Sequence, residues 1–343
     1  MTTTMRVALA LFLLAGSLMA CSSPPAPRSG ASSATPSASP TEAAPREAPA
    51  VGLAEAGRVL REILAADDAA RASGAESYAL EQTRDAQRDL TRVAFTSTGL
   101  RPPRYTWGKP ELLVPRLKAD RYPYWFAAVA ERRDGHGRRR TAVLAFMKQY
   151  ETSMWQLSFA SLLYPGTSPP AVLLDDEGYA TALATRDDSI AISPHLMAPL
   201  HATIAEEGPR GFAASLIAPG PQTTGYFDEV EKIQPDYRTR GLLYDSLFAA
   251  TAFPIFALRT TDGGAVILYS LRRTTLRQAK IKSAEGLVPV PKAVRWAVPS
   301  QVVPSMLRMI ETQQDVSQVA RKGAAERARI IGFDGAATEV TGR

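Results

Sequence analysis

Thiol chemistry is available at one position, because Cys21 is the only cysteine among the 343 residues. A lone thiol forms no intramolecular disulfide and completes no cysteine-based zinc or iron–sulfur site, so its use has to follow from where it stands. Imidazole chemistry is confined to His136, His195 and His201. His136 lies in the turn sequence Gly135-His136-Gly137 beside Arg138, Arg139 and Arg140, and reads as an exposed loop residue. His195 and His201 flank Pro199 at a spacing that does not match the i, i+4 pair of a helical zinc site. A serine nucleophile would need a base and an orienting acid, and no Gly-x-Ser-x-Gly elbow, Ser-x-x-Lys or Lys-Thr-Gly sequence is present. A phosphate-cradling Gly-x-x-x-x-Gly-Lys loop is absent as well. No catalytic, cofactor-binding or metal-ligating residue is therefore assigned.

Charged clusters remain. Asp67-Asp68, Asp175-Asp176-Glu177 and Asp187-Asp188 lack the spaced ligands and central glycine of a calcium loop and read as solvated turns. Arg132-Arg133 with Arg138 to Arg140, and Arg272-Arg273 with Arg277, Lys280 and Lys282, are the densest basic groups. Such groups can contact phosphate-bearing polymer or protect strand edges from pairing. Tyr122, Tyr124, Trp125, Phe126, Trp155 and Phe159 could line a concavity, although aromatics at strand period are more often core.

Cys21 gains its meaning from the residues before it. Arg6 supplies a short positive region, Val7 to Leu14 an apolar stretch too short to span a bilayer, and Gly16-Ser17 a helix break. Leu18-Met19-Ala20-Cys21 follows, and this tetrapeptide resembles the lipobox of bacterial lipoproteins, with Met19 in place of the usual small residue. The resemblance implies removal of a signal peptide, residues 1–20, after attachment of diacylglycerol to Cys21, with acyl chains such as palmitate. Each buried methylene contributes ~0.8 kcal/mol, so two chains anchor stably where one does not. The expected location is the outer face of the cytoplasmic membrane, the lipid on Cys21 being the membrane contact. Residues 21–50, rich in Ser, Ala and Pro without apolar periodicity, read as a disordered tether.

Elements must follow that can fold. With 45% hydrophobic and 22% charged residues, the rest of the chain can bury a core. The net charge of +6 is a modest excess spread along the chain; it fits anionic lipid or cell-wall polymer as well as nucleic acid, and no nucleic-acid partner is expected. The sequence contains no Asn and much Ala, Arg, Pro and Gly, a bias associated with high-GC genomes.

Helical spacing runs through Leu53 to Ala70, and a second helix is predicted from Glu76 to about Val93. Tyr122 to Glu131 and Thr141 to Tyr150 flank hairpin-turn residues, and Met154 to Leu163 gives a third strand. The later half repeats this order roughly: helices from Pro194 to about Glu207 and Tyr226 to about Tyr237, then Asp245 to Arg259 leading through Asp262-Gly263-Gly264 into Ala265 to Arg273. Aligning Trp125-Phe126-Ala127 with Ile255-Phe256-Ala257 suggests an internal duplication. Arg327 to Val340 reads as a last strand with a turn.

The predicted class is α+β, two tandem domains of helices on a curved antiparallel sheet, residues 51–168 and 169–343. The layout resembles the nuclear-transport-factor-2-like, or cystatin-like, cone found in tandem in uncharacterised actinobacterial lipoproteins, without a diagnostic motif. Members of that superfold bind ligands, catalyse, or do neither, so fold alone assigns no function. The expectation is a non-enzymatic binding or scaffolding module of the envelope, with an envelope protein or an anionic cell-wall polymer as partner and no cofactor. The alternative is an enzyme or small-ligand carrier with a pocket in one cone, marked by a buried polar pair of shifted pKa inside a cavity.

Overall fold

Val59, Leu60, Ile63 and Leu64 lie on one face of α1 (Leu53–Ser73) and are buried. Gly74 ends this helix at φ 72°, and a Cβ there would stand 2.8 Å from the Leu100 carbonyl oxygen, so both conformation and space require glycine. The single helix expected from Glu76 to about Val93 is instead two, α2 (Glu76–Glu81) and α3 (Asp85–Thr96). Between them the backbone pairs with a strand: Leu157 N donates to Gln82 O at 2.9 Å and Arg84 N to Leu157 O at 3.0 Å, while Asp85 stands at φ 50°. Tertiary pairing overrides a helical propensity that was continuous in sequence.

The computed structural model describes residues 48–280 and 287–343; Cys21, the leader and most of the tether lie outside the described residues. After α3 come β1 (Tyr105–Trp107), β2 (Glu111–Leu113), β3 (Tyr124–Asp134), β4 (Arg139–Lys148) and β5 (Gln156–Leu162). They form an antiparallel sheet in the order β1-β3-β4-β5, with β2 beside β1 along the same edge of β3. The second half opens with α4 (Pro194–Glu207) and α5 (Thr224–Thr239), then β6 (Leu242–Ala250), β7 (Phe256–Arg259) and β8 (Ala265–Ala279). A small ribbon, β9 (Val288–Pro289) with β10 (Val302–Val303), precedes β11 (Met306–Val319) and β12 (Arg329–Gly342). The second sheet runs β12-β11-β8-β6, and β7 pairs with the end of β8 that β6 leaves free. The chain is thus a mixed α+β protein with helices laid on two antiparallel sheets.

Both sheets are buried on two faces. Phe126, Ala128, Leu144 and Phe146 pack against Val59, Leu60, Ile63 and Leu64 of α1. The alternate residues Ala127, Val143, Ala145 and Phe159 pack instead against Phe256, Leu258, Val266 and Leu268 of the second sheet. The far face of that sheet, with Phe248, Ile267, Tyr269 and Leu271, is covered by α4 residues such as Met197 and Ile204. The layers run helix, sheet, sheet, helix, which explains why β3 and β4 read as near-continuous apolar runs rather than alternating ones. Phe126 faces the helices while Phe256 faces the other sheet. The proposed alignment of these two residues is therefore one position out of facing, since a single-residue slip exchanges the two faces of a strand.

Two segments differ from expectation at the carboxyl end. β11 carries Thr312, Gln313, Gln314, Asp315 and Ser317 at 0% exposure, a polar run placed inside the protein. β12 is one strand through Asp334-Gly335, where a turn was expected, because it pairs along most of β11. It also reaches the first half: Leu163 bridges Gly332, and Tyr164 N donates to Ile331 O at 2.9 Å. Residues Glu47–Arg343 accordingly form one compact unit.

Candidate ligand-binding site

Leu64, Asp67 and Arg71 follow one another at helical spacing on α1, so one face of the helix passes from apolar to charged at its carboxyl end. That end, together with α3, stands off the first sheet and leaves a cavity of about 360 Å³. Gln87 and Thr91 of α3, Tyr105 and Trp107 of β1, Arg132 of β3, and Leu144 of β4 contribute walls. Asp334 and Ala336 of β12 close it from the second half, nearly 200 residues further along the chain than Arg132 (334 − 132 = 202). The volume and the mixture of apolar wall with a few convergent polar groups suit a small organic molecule.

The polar groups are ordered by one another. Arg71 Nε bonds Asp67 Oδ2 at 2.7 Å, and Arg71 Nη1 donates to Pro103 O at 3.0 Å. The Tyr105 ring lies beneath two guanidiniums, Arg71 at 5.1 Å and Arg132 at 4.2 Å from its centroid. Arg132 Nη1 comes to 4.0 Å from Asp334 Oδ2. Asp334 is surrounded by protein yet keeps 41% of its side-chain surface, as a group facing an internal cavity does. Its Oδ1 accepts from Gly335 N at 2.9 Å. Removal from bulk solvent holds its carboxyl above the usual carboxylate range, and the Arg132 guanidinium, the Gly335 hydrogen bond and the guanidiniums of Arg140 and Arg71 offset this only in part. Gln87 donates from Nε2 to Thr91 Oγ1 at 3.3 Å, and its buried Oε1 has no partner.

A different polar cluster, centred on buried residues of the second half, lies away from this cavity. His201 Nδ1 lies 2.9 Å from Tyr269 Oη and its Nε2 2.7 Å from Gln222 O, while Tyr164 Oη donates to Gln222 Oε1. Burial lowers the imidazole pKa to about 4. Gln313 Nε2 donates to Tyr226 Oη at 2.9 Å and to Glu311 Oε1 at 3.0 Å. Asp315, on the same face of β11, has no partner for either carboxylate oxygen, and burial drives its pKa well above the ordinary value. Arg273 is held between Glu229 at 2.9 Å and Ser246 at 2.7 Å. Side chains fill this region, so it organises a core.

The residues singled out from sequence are scattered. His136 sits in an exposed turn closed by its own N–H to Asp134 Oδ1 at 2.9 Å; His195 is half-buried, with Nδ1 2.9 Å from Thr185 O. The basic groups separate: Arg132 turns into the cavity, Arg138 bonds Asp134 at 2.7 Å, Arg140 donates to Leu163 O at 2.6 Å, and Arg273 is buried. Lys282 lies outside the described residues. The acidic doublets engage cations: Asp67 with Arg71, Asp68 with Arg104, Asp175 with Arg116, Asp187 with Arg259 and Asp188 with Lys322. Tyr122, Tyr124, Phe126 and Trp155 join the helix-side core, Trp125 and Phe159 the core between the sheets, and none lines the cavity. Among the described residues no group of three or more His, Cys, Asp or Glu is placed to hold a metal ion. No helix of the described residues is long and apolar enough to cross a membrane.

Sequence reasoning missed the cavity. Asp67 and Arg71 on the apolar side of α1 were a readable signal; Asp334, brought in by strand pairing from the far end of the chain, left none.

Fold and site together define an α+β protein whose first sheet and helices enclose one open, charged and apolar cavity. The chain belongs to the family described as "Domain of unknown function (DUF8094)", whose model matches residues 47–342. It is similar to an uncharacterised lipoprotein of Streptomyces coelicolor, 28% identical over 323 residues that cover 90% of this chain and 86% of the relative. It is also similar to an uncharacterised lipoprotein of Streptomyces avermitilis, 26% identical over 167 residues, 48% of this chain and 46% of the relative. No solved structure matches.

Proposed function

We propose that the mature chain is an envelope lipoprotein, held by acyl chains on Cys21 at the outer face of the cytoplasmic membrane, that binds a small molecule in the first-half cavity. The printed names of the Streptomyces relatives and the Leu18-Met19-Ala20-Cys21 sequence support the anchor. The cavity supports the binding role, and one observation carries it: about 360 Å³ of open space holds the Asp334 carboxylate, whose Oδ1 accepts from Gly335 N at 2.9 Å while its Oδ2 stands 4.0 Å from Arg132 Nη1, outside hydrogen-bond distance. A scaffold has no use for such a space, so the small-ligand role is preferred to docking of an envelope protein or cell-wall polymer.

Two measurements test the two parts. Wild type should incorporate a labelled fatty acid and mature to a shorter chain, and Cys21→Ser should do neither; equal labelling and equal size of the two would remove the anchor. An environment-sensitive naphthalene dye should bind the wild-type cavity and fail to bind Ala160→Phe, whose ring fills the space beside Leu157, provided both forms melt alike. Equal dye binding by both would remove the cavity role.

A further inference from the structure

The four charges in the cavity form two unlike pairs. Asp67 and Arg71 are closed on each other at 2.7 Å, and Arg71 keeps 8% of its side-chain surface. Arg132 and Asp334 approach only to 4.0 Å, outside hydrogen-bond distance, and keep 21% and 41%. The Arg132 guanidinium carbon lies over the Tyr105 ring, 4.2 Å from its centroid, and the guanidinium nitrogens donate no hydrogen bond to any of the described residues. Beside them Leu90, Leu144, Leu157 and Trp107 give the wall its apolar part. This open pair sums to zero charge. A simple cation drawn to Asp334 meets Arg132, and a simple anion drawn to Arg132 meets Asp334, each repelled across a few ångströms with little water to screen it. A head group that carries donor and acceptor side by side satisfies both at once.

We infer that the cavity takes a small amphiphile whose head group sets a hydrogen-bond donor beside an acceptor, as in an apolar amino acid or a primary amide. The donor faces Asp334 Oδ2, the acceptor faces Arg132, and the apolar body lies against Leu144 and Leu157. The inference rests on the cavity being a ligand site.

The test uses the chain at its mature length, residues 21–343, carrying Cys21→Ser so that no lipid is attached, and calorimetric titration with L-norleucine, hexanamide, hexylammonium and hexanoate. The first two should bind roughly tenfold or more tightly than the last two, the factor one charge-assisted hydrogen bond supplies. Arg132→Gln should weaken both. Asp334→Asn separates the two sources: it should weaken norleucine about tenfold by removing the counter-charge of its ammonium and change hexanamide little. Dye binding that Ala160→Phe abolishes, combined with equal affinity for all four probes, with preference for one singly charged probe, or with no probe binding, overturns the head-group inference and leaves the cavity reading intact. Absence of both dye and probe binding overturns both. Matching melting temperatures show that the variants are folded.

Discussion

Replacing Asp315 by asparagine should flatten the dependence of stability on pH. Asp315 has 0% exposure, neither of its carboxylate oxygens is bonded, and Glu311 adds a second acidic group on the same face of β11. Burial first, then the Glu311 charge, favours the neutral acid, so the folded pKa stands above the unfolded value of about 3.9. Above that value the unfolded chain releases a proton that the folded chain retains. Stability is therefore complete below about pH 3.9 and falls by about 1.4 kcal/mol for each pH unit until the raised pKa is passed. Asparagine has the same shape and no such proton. In urea unfolding taken upward from about pH 4 the free-energy difference between variant and wild type should move toward the variant as pH rises, by up to about 1.4 kcal/mol per unit until the raised pKa is passed. Parallel curves would refute the reasoning, because they would mean that Asp315 is ionised inside the fold.

His201 acts with the opposite sign. Its pKa falls from 6.5 to about 4 on burial, so its contribution is complete above pH 6.5 and about 3 kcal/mol is lost as pH falls toward 4; His201→Gln should remove that acid-limb slope in the same urea series. Phe146→Ala empties a fully buried site stacked on Phe126 at 4.8 Å between centroids and should cost about 3–5 kcal/mol by chemical denaturation. Phe212→Ser, at a side chain 71% exposed, should change stability by no more than about 0.5 kcal/mol.

Legibility in the sequence followed how local each cause was. α1, α4, the β3–β4 hairpin and β5 were readable because apolar period, a proline at the first helical position (Pro194) and turn residues act within a few positions. β11 was not, since Thr312 to Asp315 has the composition of a turn; its burial depends on partners far away, Gln314 receiving Ala160 N at 3.1 Å and donating to Ser158 O at 3.2 Å. The break between α2 and α3 had the same origin, a backbone exchange with Leu157. Half the cavity was visible in principle, as charge on the apolar side of α1. The other half depends on β12 crossing to the first sheet, and no window of sequence around Asp334 contains Arg132. The basic groups misled for a related reason: neighbours along a strand point to opposite faces, so Arg132 enters the cavity while Arg133 meets Glu131 at 3.3 Å outside.

Native mass spectrometry of the full chain gently released from its own membranes bears on the ligand-binding role most directly. Wild type should carry a small molecule that leaves on mild activation, and Ala160→Phe, made in the same cells and equally folded, should carry none. Equal retention by the two forms, or none by either, would contradict it.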